Sequence, residues 1–396
     1  MYQKKYRRNI SLLGGLDFLS FFGITTFWVL FLSQNGMSLL EVGLLESLFH
    51  GTSILFEIPS GMLADRFTYK TNLYISRVMT ILSSLLMILG QGNFWIYAIA
   101  MILTALGYNF SSGTDSAMLF ESAKEAGLES RYLKITSVIA GFVEAGLALG
   151  SVMASFFVHG LLHYTYYIMI VLSLIGIGLI YLMKEPQLKA KEGEQTTLKS
   201  IVLVVSKEFK EKPGLLFWML SFQFVASIMC MFYFYYQNEL PNLTVWQISF
   251  IMLLGSVINV LAVWLASRIG EKWHSKCVFP ILVFLTGLSF IFAITGHVVS
   301  YALIYLFSNG LYALFLPIFN NDLQHKLPSE VRATLLSVNA MCFSLSMIIV
   351  FPLTGWLIDN IGFARTFILL GILLLLLAPL LYFKNRDAII SDEVSK

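Results

Sequence analysis

Residues 61–70 read GMLADRFTYK, and this short charged stretch lies between two apolar runs, 41–64 and 71–91. Each run is about 20 residues long, which is the length that a helix needs to cross roughly 30 Å of hydrocarbon. Because lipid offers the backbone no hydrogen-bond partners, a segment that spans it in this way has to be helical. The stretch therefore predicts a tight charged turn between two membrane-spanning helices.

The same pattern extends over the whole chain. Hydrophobic residues make up 57% of the 396 residues and charged residues 12%, and the mean hydropathy is +0.77. A soluble domain carries about twice that fraction of charge, and the strand-like alternation of an outer-membrane barrel is absent. The sequence predicts an all-α membrane protein with twelve transmembrane helices. We place the spans at 10–33, 41–64, 71–91, 94–120, 133–158, 163–183, 214–237, 245–267, 276–296, 299–321, 333–357 and 363–383.

The basic residues predict the orientation. With the N-terminus inside, Arg66, Lys70 and Arg77 fall on the cytoplasmic side together with seven lysines of the central loop, and only Arg365 of the 26 basic residues lies near an outer end. Positive charge favours the cytoplasmic side of a membrane protein. We expect a multi-pass protein of the bacterial plasma (cytoplasmic) membrane with both termini in the cytoplasm. The net charge of +3 is then a topology signal, and no nucleic-acid partner is expected.

The chain divides into two similar halves. Residues 1–183 form a predicted N-terminal six-helix bundle, 184–213 a polar cytoplasmic linker, and 214–396 a C-terminal six-helix bundle with a short cytoplasmic tail. Residues 63–70 match residues 265–272 at an offset of 202, which indicates an internal repeat with pseudo-symmetric halves. Within the linker, residues 198–209 suit either an amphipathic helix on the inner leaflet or a plain connection.

The stretch 61–70 resembles the signature loop of the major facilitator superfamily, G-x-x-x-D-R-x-G-R-K, and occurs at that family's position, between the second and third of twelve spans. Thr68 stands where the signature has its turn glycine, and Tyr69 where it has a basic residue. The resemblance implies a major facilitator fold, transport by alternating access and a monomer. It also implies that this loop is a conformational latch; the alternative is a charged turn that only fixes topology. The implied latch residues are Gly61, Asp65, Arg66, Lys70 and, in the second copy, Arg268.

Acidic residues inside the predicted spans are confined to the first half. Such residues are costly in a membrane, so they are functional candidates by default. Four residues of the second span, Glu46, His50, Ser53 and Glu57, are three or four positions apart and share one helix face. We predict that proton coupling resides in this half, although Glu46 and His50 could also be simply hydrated at the outer face. The proton-coupling candidates are Glu57, Glu144, Asp17, Glu46 and His50.

Two further features of the first half can serve to hold helices together. Asp115, near the inner end of the fourth span, suits a role in binding helix ends as well as a functional one. In the fifth span, Gly146 and Gly150 are four residues apart, a spacing that allows close helix packing.

The second half is predicted to shape the substrate cavity. Its first span carries methionine and aromatic side chains, which adapt to flat apolar molecules; some of these aromatics suit an interfacial belt equally well. The substrate-binding candidates are Gln223, Phe232, Tyr236 and Asn259.

The function predicted from these features is secondary active transport, as proton-coupled efflux (antiport) of amphipathic drug-like or antibiotic compounds. The chain lacks the Walker lysine loop and the common hydrolase motifs, so the proton gradient is the expected energy source. We expect no cofactor, metal or enzymatic activity, and we expect a small-molecule substrate, protons and membrane lipids as partners. The alternatives are a proton-coupled nutrient uptake symporter and a lipid-handling or non-transporting membrane protein.

Overall fold

The structure, a computed structural model, describes residues 2–64, 67–186, 210, 213–327 and 332–394; the side chains of residues 2–4, 58–64, 213, 332–334 and 383–394 are not described. The described residues form helices and turns and contain no strand. Twelve helical segments among them are long and apolar enough to cross a membrane. The prediction of an all-α chain with twelve transmembrane helices is confirmed.

Contacts divide the chain into two compact units. The first unit comprises Met1–Met37 and Leu44–Thr196, and the second comprises Ser38–Gly43 and Thr197–Lys396. The second span therefore begins in the second unit and continues in the first. The predicted linker helix at 198–209 lies outside the described residues.

The first half of the chain supplies six spans, two of which are interrupted. The first span, Lys5–Gln34, and the fourth, Phe94–Glu125, each consist of two helices joined by a short break. The α-helices of this half are Tyr2–Ser20, Trp28–Gln34, Leu39–Ala64, Tyr69–Leu89, Phe94–Ser111, Thr114–Glu125, Tyr132–Ser155 and His163–Leu182. Short 3-10 helices occur at Gly23–Thr25 and Glu129–Arg131.

The second half supplies the other six spans as longer helices. Three of the breaks between them are formed by a 3-10 helix or a glycine of positive φ, such as Gly296 and Gly362. The α-helices are Pro213–Tyr235, Val245–Gly270, Ser275–Ile291, Val298–Lys326, Arg332–Ile361 and Phe363–Val394. The 3-10 helices are Tyr236–Asn242 and Phe292–Thr295.

The break in the first span packs directly on the fifth span. A Cβ atom added to Gly150 would collide with the backbone of Gly23, and one added to Gly146 would approach the ring of Phe18 within 3.0 Å. The prediction that Gly146 and Gly150 allow close packing is confirmed. Beside them, the hydroxyls of Thr26 and Ser151 are 2.9 Å apart and share a hydrogen bond, which gives the interrupted backbone a polar neighbour.

The two units fill their interiors differently. In the first, a cluster of aliphatic and methionine side chains joins the first, third, fourth and sixth spans; its members are Leu13, Leu16, Leu73, Met118, Leu119, Ile180 and Met183. In the second, aromatic rings fill the interior. The ring of Phe222 stacks on that of Phe279 at 3.8 Å and on that of Phe319 at 4.7 Å, and all three side chains are buried.

Candidate functional site

Three charged side chains from three spans come together in the first unit. Arg77 of the third span is 9% exposed and interacts electrostatically with Asp17 of the first span and Asp115 of the fourth. The two carboxylates also repel each other. Asp17 was predicted as a coupling residue and Asp115 was left open, and in the structure both interact electrostatically with one guanidinium. We call Asp17, Arg77 and Asp115 the charged triad.

Arg77 was assigned to the cytoplasmic side by the sequence analysis, and the structure contradicts that assignment. The residue lies eight positions after Tyr69, where the third span begins, and its side chain is buried. Its aliphatic stem packs where Gly176 of the sixth span leaves room, since a Cβ atom at Gly176 would be 3.4 Å from Cδ of Arg77. The signal that could have identified it is this depth of two helical turns inside an apolar span.

The charged triad borders the aliphatic cluster of the first unit. Asp17 follows Leu16, Arg77 is four residues after Leu73, and Asp115 is three residues before Met118, so each charge is adjacent to a cluster member or one turn from it. In each of the three helices, the charged residue lies closer to the middle of the span than its neighbour in the aliphatic cluster does. Ser76 contributes a polar contact, its hydroxyl lying 3.2 Å from the Arg77 guanidinium. The three side chains together carry a net charge of −1 when every group is ionised.

A second polar pair occupies the beginning of the second span. Nε2 of His50 lies 3.4 Å from Oε1 of Glu46, and each side chain is 11% exposed. One turn on, the hydroxyl of Ser53 donates to Oδ1 of Asn109, whose amide donates back to the Ser53 carbonyl, both at 3.0 Å. The stripe predicted on this helix face therefore consists of a buried carboxylate–imidazole pair followed by a cross-link to the fourth span.

The remaining coupling candidates are more accessible. Glu57 is half-buried near the end of the second span, and Glu144 is exposed on the fifth span. Their role in coupling stays a prediction.

The part of the signature loop that the structure describes is a helix-capping site. The hydroxyl of Thr68 accepts a hydrogen bond from the Thr71 amide at 3.2 Å, so Thr68 is the N-cap of the third span. The carboxylate of Glu185 accepts from the amides of Tyr69 and Lys70 at 2.7 and 3.1 Å. The threonine that replaces the signature glycine thus has a capping function of its own.

Two other predicted latch residues, Lys70 and Arg268, each make contacts within their own unit. The Lys70 ammonium donates to the carbonyls of Met183 and Tyr181 at 2.9 and 3.2 Å, where it caps the end of the sixth span. The Arg268 guanidinium lies 5.6 Å from the centre of the Trp264 ring on its own helix. Asp65 and Arg66 lie outside the described residues, as does the side-chain environment of Gly61.

In the second unit, two of the predicted binding residues lie within the aromatic interior. Phe232 is fully buried and contacts the ring of Phe367 at 4.6 Å. Tyr236 stacks on Tyr305 at 4.3 Å. Gln223 is also buried, and its amide donates to Oδ1 of Asn339 at 3.0 Å. Their role in binding substrate stays a prediction.

A cavity of about 190 Å³ opens on the neighbouring face of the seventh span. Its walls come from the seventh, tenth and eleventh spans, and none of its eight lining residues is charged. Asn259, the fourth predicted residue, is hydrogen-bonded to a residue of the cavity wall. Its Oδ1 accepts a hydrogen bond from Asn309 at 2.8 Å. The lining residues are Met229, Cys230, Tyr233, Phe234, Ser308, Asn309, Tyr312 and Phe343.

The two units therefore offer different chemistry. The charged triad can change its net charge from −1 to 0 by taking up one proton, whereas the cavity offers ring faces, one amide and hydroxyl groups. Among the described residues, no group of three or more potential metal ligands occurs. Twelve spans with buried ionisable groups in one unit and an uncharged cavity in the other define a polytopic membrane protein of the transporter class.

Comparisons with known proteins specify the family. The sequence model of the Major Facilitator Superfamily matches residues 10–351. The chain belongs to this superfamily, as the signature loop predicted. A relative from Bacillus subtilis (strain 168), described as an uncharacterized MFS-type transporter, YxaM, is 23% identical over 363 residues, which cover 88% of each chain.

Solved structures agree with the fold. A mutant form of the nucleoside transporter NupG superposes with a TM-score of 0.78 at 14% identity, over 96% of this chain and 99% of that one. A D-xylose–proton symporter superposes with a TM-score of 0.69 at 15% identity, over 96% and 98% of the two chains. At these identities the likeness establishes the major facilitator fold alone.

Proposed function

We propose that this secondary transporter exports amphipathic, drug-like compounds in exchange for protons. The observation that carries the proposal is the separation of charge: the described intramembrane ion cluster belongs to the first unit, and the cavity of the second unit is lined by uncharged, mostly aromatic residues. A proton can neutralise the triad, and ring faces with a few hydrogen-bonding groups suit a flat amphipathic molecule. Antiport follows if protonated triad and bound substrate alternate within the transport cycle.

The same proposal includes the oligomeric state, the membrane, the orientation and the energy source. The protein works as a monomer in the bacterial cytoplasmic membrane, with both termini and the signature loop inside. The proton gradient is the energy source, and no cofactor is needed.

The experiment is efflux of Hoechst 33342 from bacterial cells that express the chain, with and without a protonophore. We expect efflux that the protonophore stops and that Asp17→Asn abolishes, because the triad then loses a proton acceptor. Glu129→Gln is the matched control, since Glu129 is an exposed carboxylate in a turn before the fifth span. Efflux that persists with the protonophore present, or that Asp17→Asn leaves unchanged, contradicts the proposal.

A second candidate is proton-coupled uptake of a nucleoside-like or sugar-like nutrient. It is favoured by the polar part of the cavity, where Ser308 and Asn309 line the wall together with Tyr233 and Tyr312, and by the likeness to a nucleoside transporter and a xylose symporter. The two candidate functions are distinguished in proteoliposomes whose external pH is lower than their internal pH. Uptake of radiolabelled uridine or xylose driven by that gradient supports the symporter, whereas Hoechst 33342 release driven by it supports the exporter.

A further inference from the structure

The turn between the eighth and ninth spans carries a basic surface that is rich in tryptophan. The eighth span ends at Gly270 and the ninth begins at Ser275, so residues 271–274 form the turn. Two cations and two indole rings on or beside this turn are exposed, and they belong to Trp264, Arg268, Lys272 and Trp273. We call these four residues the basic patch.

The tenth span fixes both ends of this turn. Gly270 lies against Ile318, since a Cβ atom added to the glycine would be 3.6 Å from Cγ1 of Ile318. One helical turn further along the tenth span, the buried carboxylate of Asp322 accepts the Ser275 amide at 2.5 Å, and its Oδ1 lies 3.6 Å from Nδ1 of His274. The basic patch is therefore held at a defined place on the second unit.

The basic patch continues an apolar stripe of the eighth span. Val260, Trp264 and Arg268 follow one another at intervals of four residues, so they share one helix face. Val260 and Trp264 are each 59% exposed, and exposed apolar side chains of a span face the lipid. The Arg268 guanidinium lies 5.6 Å from the centre of the Trp264 ring. A ligand at Arg268 therefore meets a cation and an apolar wall together, which matches the headgroup and the acyl chain of a phospholipid.

The charge of this region favours an anionic headgroup. Residues 264–276 contain three basic residues and one acid, Glu271, which gives a net charge of +2 with histidine neutral. The turn after the fourth span is different, because residues 121–134 contain three basic and three acidic residues and no tryptophan. Clustered basic residues beside a span attract anionic lipids, and tryptophan rings favour the level of the headgroups.

The two copies of the repeated loop use the same lysine position differently. Lys70 and Lys272 correspond at the offset of 202 residues. The Lys70 ammonium donates to the carbonyls of Met183 and Tyr181 at the end of the sixth span. The Lys272 side chain is exposed in the turn of the basic patch. The lysine of the first copy thus stabilises a helix end, whereas that of the second copy is accessible to a ligand from outside the protein.

We propose that the basic patch binds an anionic phospholipid such as phosphatidylglycerol. Arg268 and Lys272 bind the phosphate, and the planar guanidinium suits two phosphate oxygens at once. Trp273 lies at the level of the headgroup, and one acyl chain lies along Val260 and Trp264. The apolar stripe selects a lipid over a soluble phosphate. The site depends neither on the proposed direction of transport nor on the compound that is carried.

The test is quenching of tryptophan fluorescence by brominated lipids. The full-length protein is reconstituted in phosphatidylcholine vesicles with increasing fractions of brominated phosphatidylglycerol or, in parallel, of brominated phosphatidylcholine, with the bromine in the upper part of the acyl chain. We expect stronger quenching by phosphatidylglycerol at equal fraction, and Trp264→Phe should remove most of this excess. The double variant Arg268→Gln, Lys272→Gln should lower the apparent affinity for phosphatidylglycerol about 25-fold, at about fivefold for each basic residue.

Matched variants and a soluble anion make the result decisive. Arg268→Lys keeps the positive charge and should retain most of the excess quenching. The double variant Arg131→Gln, Lys134→Gln removes two exposed cations from the turn after the fourth span and should leave the excess unchanged. Excess quenching that survives in Arg268→Gln, Lys272→Gln, or that falls equally in Arg131→Gln, Lys134→Gln, would overturn the site. Displacement of the lipid by inorganic phosphate, but not by chloride at equal ionic strength, would overturn the assignment to a lipid.

Discussion

The first and second units share a helical architecture, but they bury different kinds of side chain. The first places Arg77 within electrostatic reach of two aspartates. In the second, the buried acid Asp322 lies near the end of its span and accepts the Ser275 amide at 2.5 Å, so it caps a helix. Many aromatic rings are buried in this unit, and several line the cavity. Under the proposed function, this difference would assign proton handling to the first unit and substrate recognition to the second.

The largest effect that this comparison predicts is that of Arg77→Met. The variant removes the cation that interacts with Asp17 and Asp115, which is expected to cost about 3 to 5 kcal/mol of stability and to abolish transport. Thermal unfolding in detergent and Hoechst 33342 efflux measure the two effects. Arg131→Met, at an exposed arginine of the same unit, is the control.

A double variant tests whether the cost is electrostatic. Adding Asp17→Asn to Arg77→Met removes one of the two repelling carboxylates and should restore much of the melting temperature, without restoring proton-driven efflux. An Arg77→Met protein as stable as the parent would show that the buried cation does not hold the triad together.

The role of Arg77 also marks the limit of what the sequence could predict. Long apolar runs and single charges predict the span count, the signature loop and the confinement of intramembrane acids to the first half. These predictions need no knowledge of the tertiary structure. Arg77 was grouped with the cytoplasmic charges because the rule for orientation counts basic residues near span ends. Only the packing of the third span against the first, fourth and sixth shows that its guanidinium is buried.

The residues that line the cavity could not be predicted from the sequence, for a different reason. The seventh span is apolar on every side over residues 229–236, so its periodicity does not distinguish a face that packs from a face that lines a cavity. Phe232 and Tyr236 were predicted as substrate-binding residues, and that role stays a prediction; the structure buries both and places Tyr233 and Phe234 on the wall of this cavity. Adjacent residues on a helix point about 100° apart, and the contacts of neighbouring helices decide which of them faces the cavity.

A smaller effect is expected from Phe222→Ala in the aromatic interior of the second unit. Removing this buried ring from its stack with Phe279 and Phe319 should cost about 3 kcal/mol of stability. The protonophore sensitivity of efflux by the folded fraction should not change, because the triad is untouched. Phe224→Ala, at an exposed ring of the same helix, is the matched control. The measurements are thermal unfolding and efflux normalised to folded protein. A change in protonophore sensitivity would contradict the assignment of proton coupling to the first unit alone.

Tyr312→Ala should alter recognition with less effect on stability. Loss of one ring from the cavity wall is expected to weaken the apparent affinity for Hoechst 33342 about tenfold, the size of a typical aromatic contact. The dependence of efflux on the pH gradient should stay parental. Concentration series in proteoliposomes measure both, with the exposed Phe250→Ala as control. An unchanged affinity would show that this cavity does not bind Hoechst 33342.

The smallest expected effect is at the signature loop. Thr68→Ala removes the N-cap of the third span and should cost about 1 kcal/mol, whereas Thr68→Gly, which restores the signature residue, should cost only a few tenths. Chemical or thermal unfolding in detergent compares the two variants with the parent. Equal losses for both would mean that the hydroxyl does not act as a cap.

The most direct test of the division between the units is proton release upon substrate binding. Purified protein in weakly buffered detergent is mixed with Hoechst 33342 while a pH indicator and the dye's fluorescence are followed together. The account predicts that the parent releases protons as it binds, that Asp17→Asn binds without releasing them, and that Tyr312→Ala releases them only at higher dye concentration. Proton release by Asp17→Asn equal to that of the parent, at equal dye binding, would contradict the placement of coupling on the charged triad.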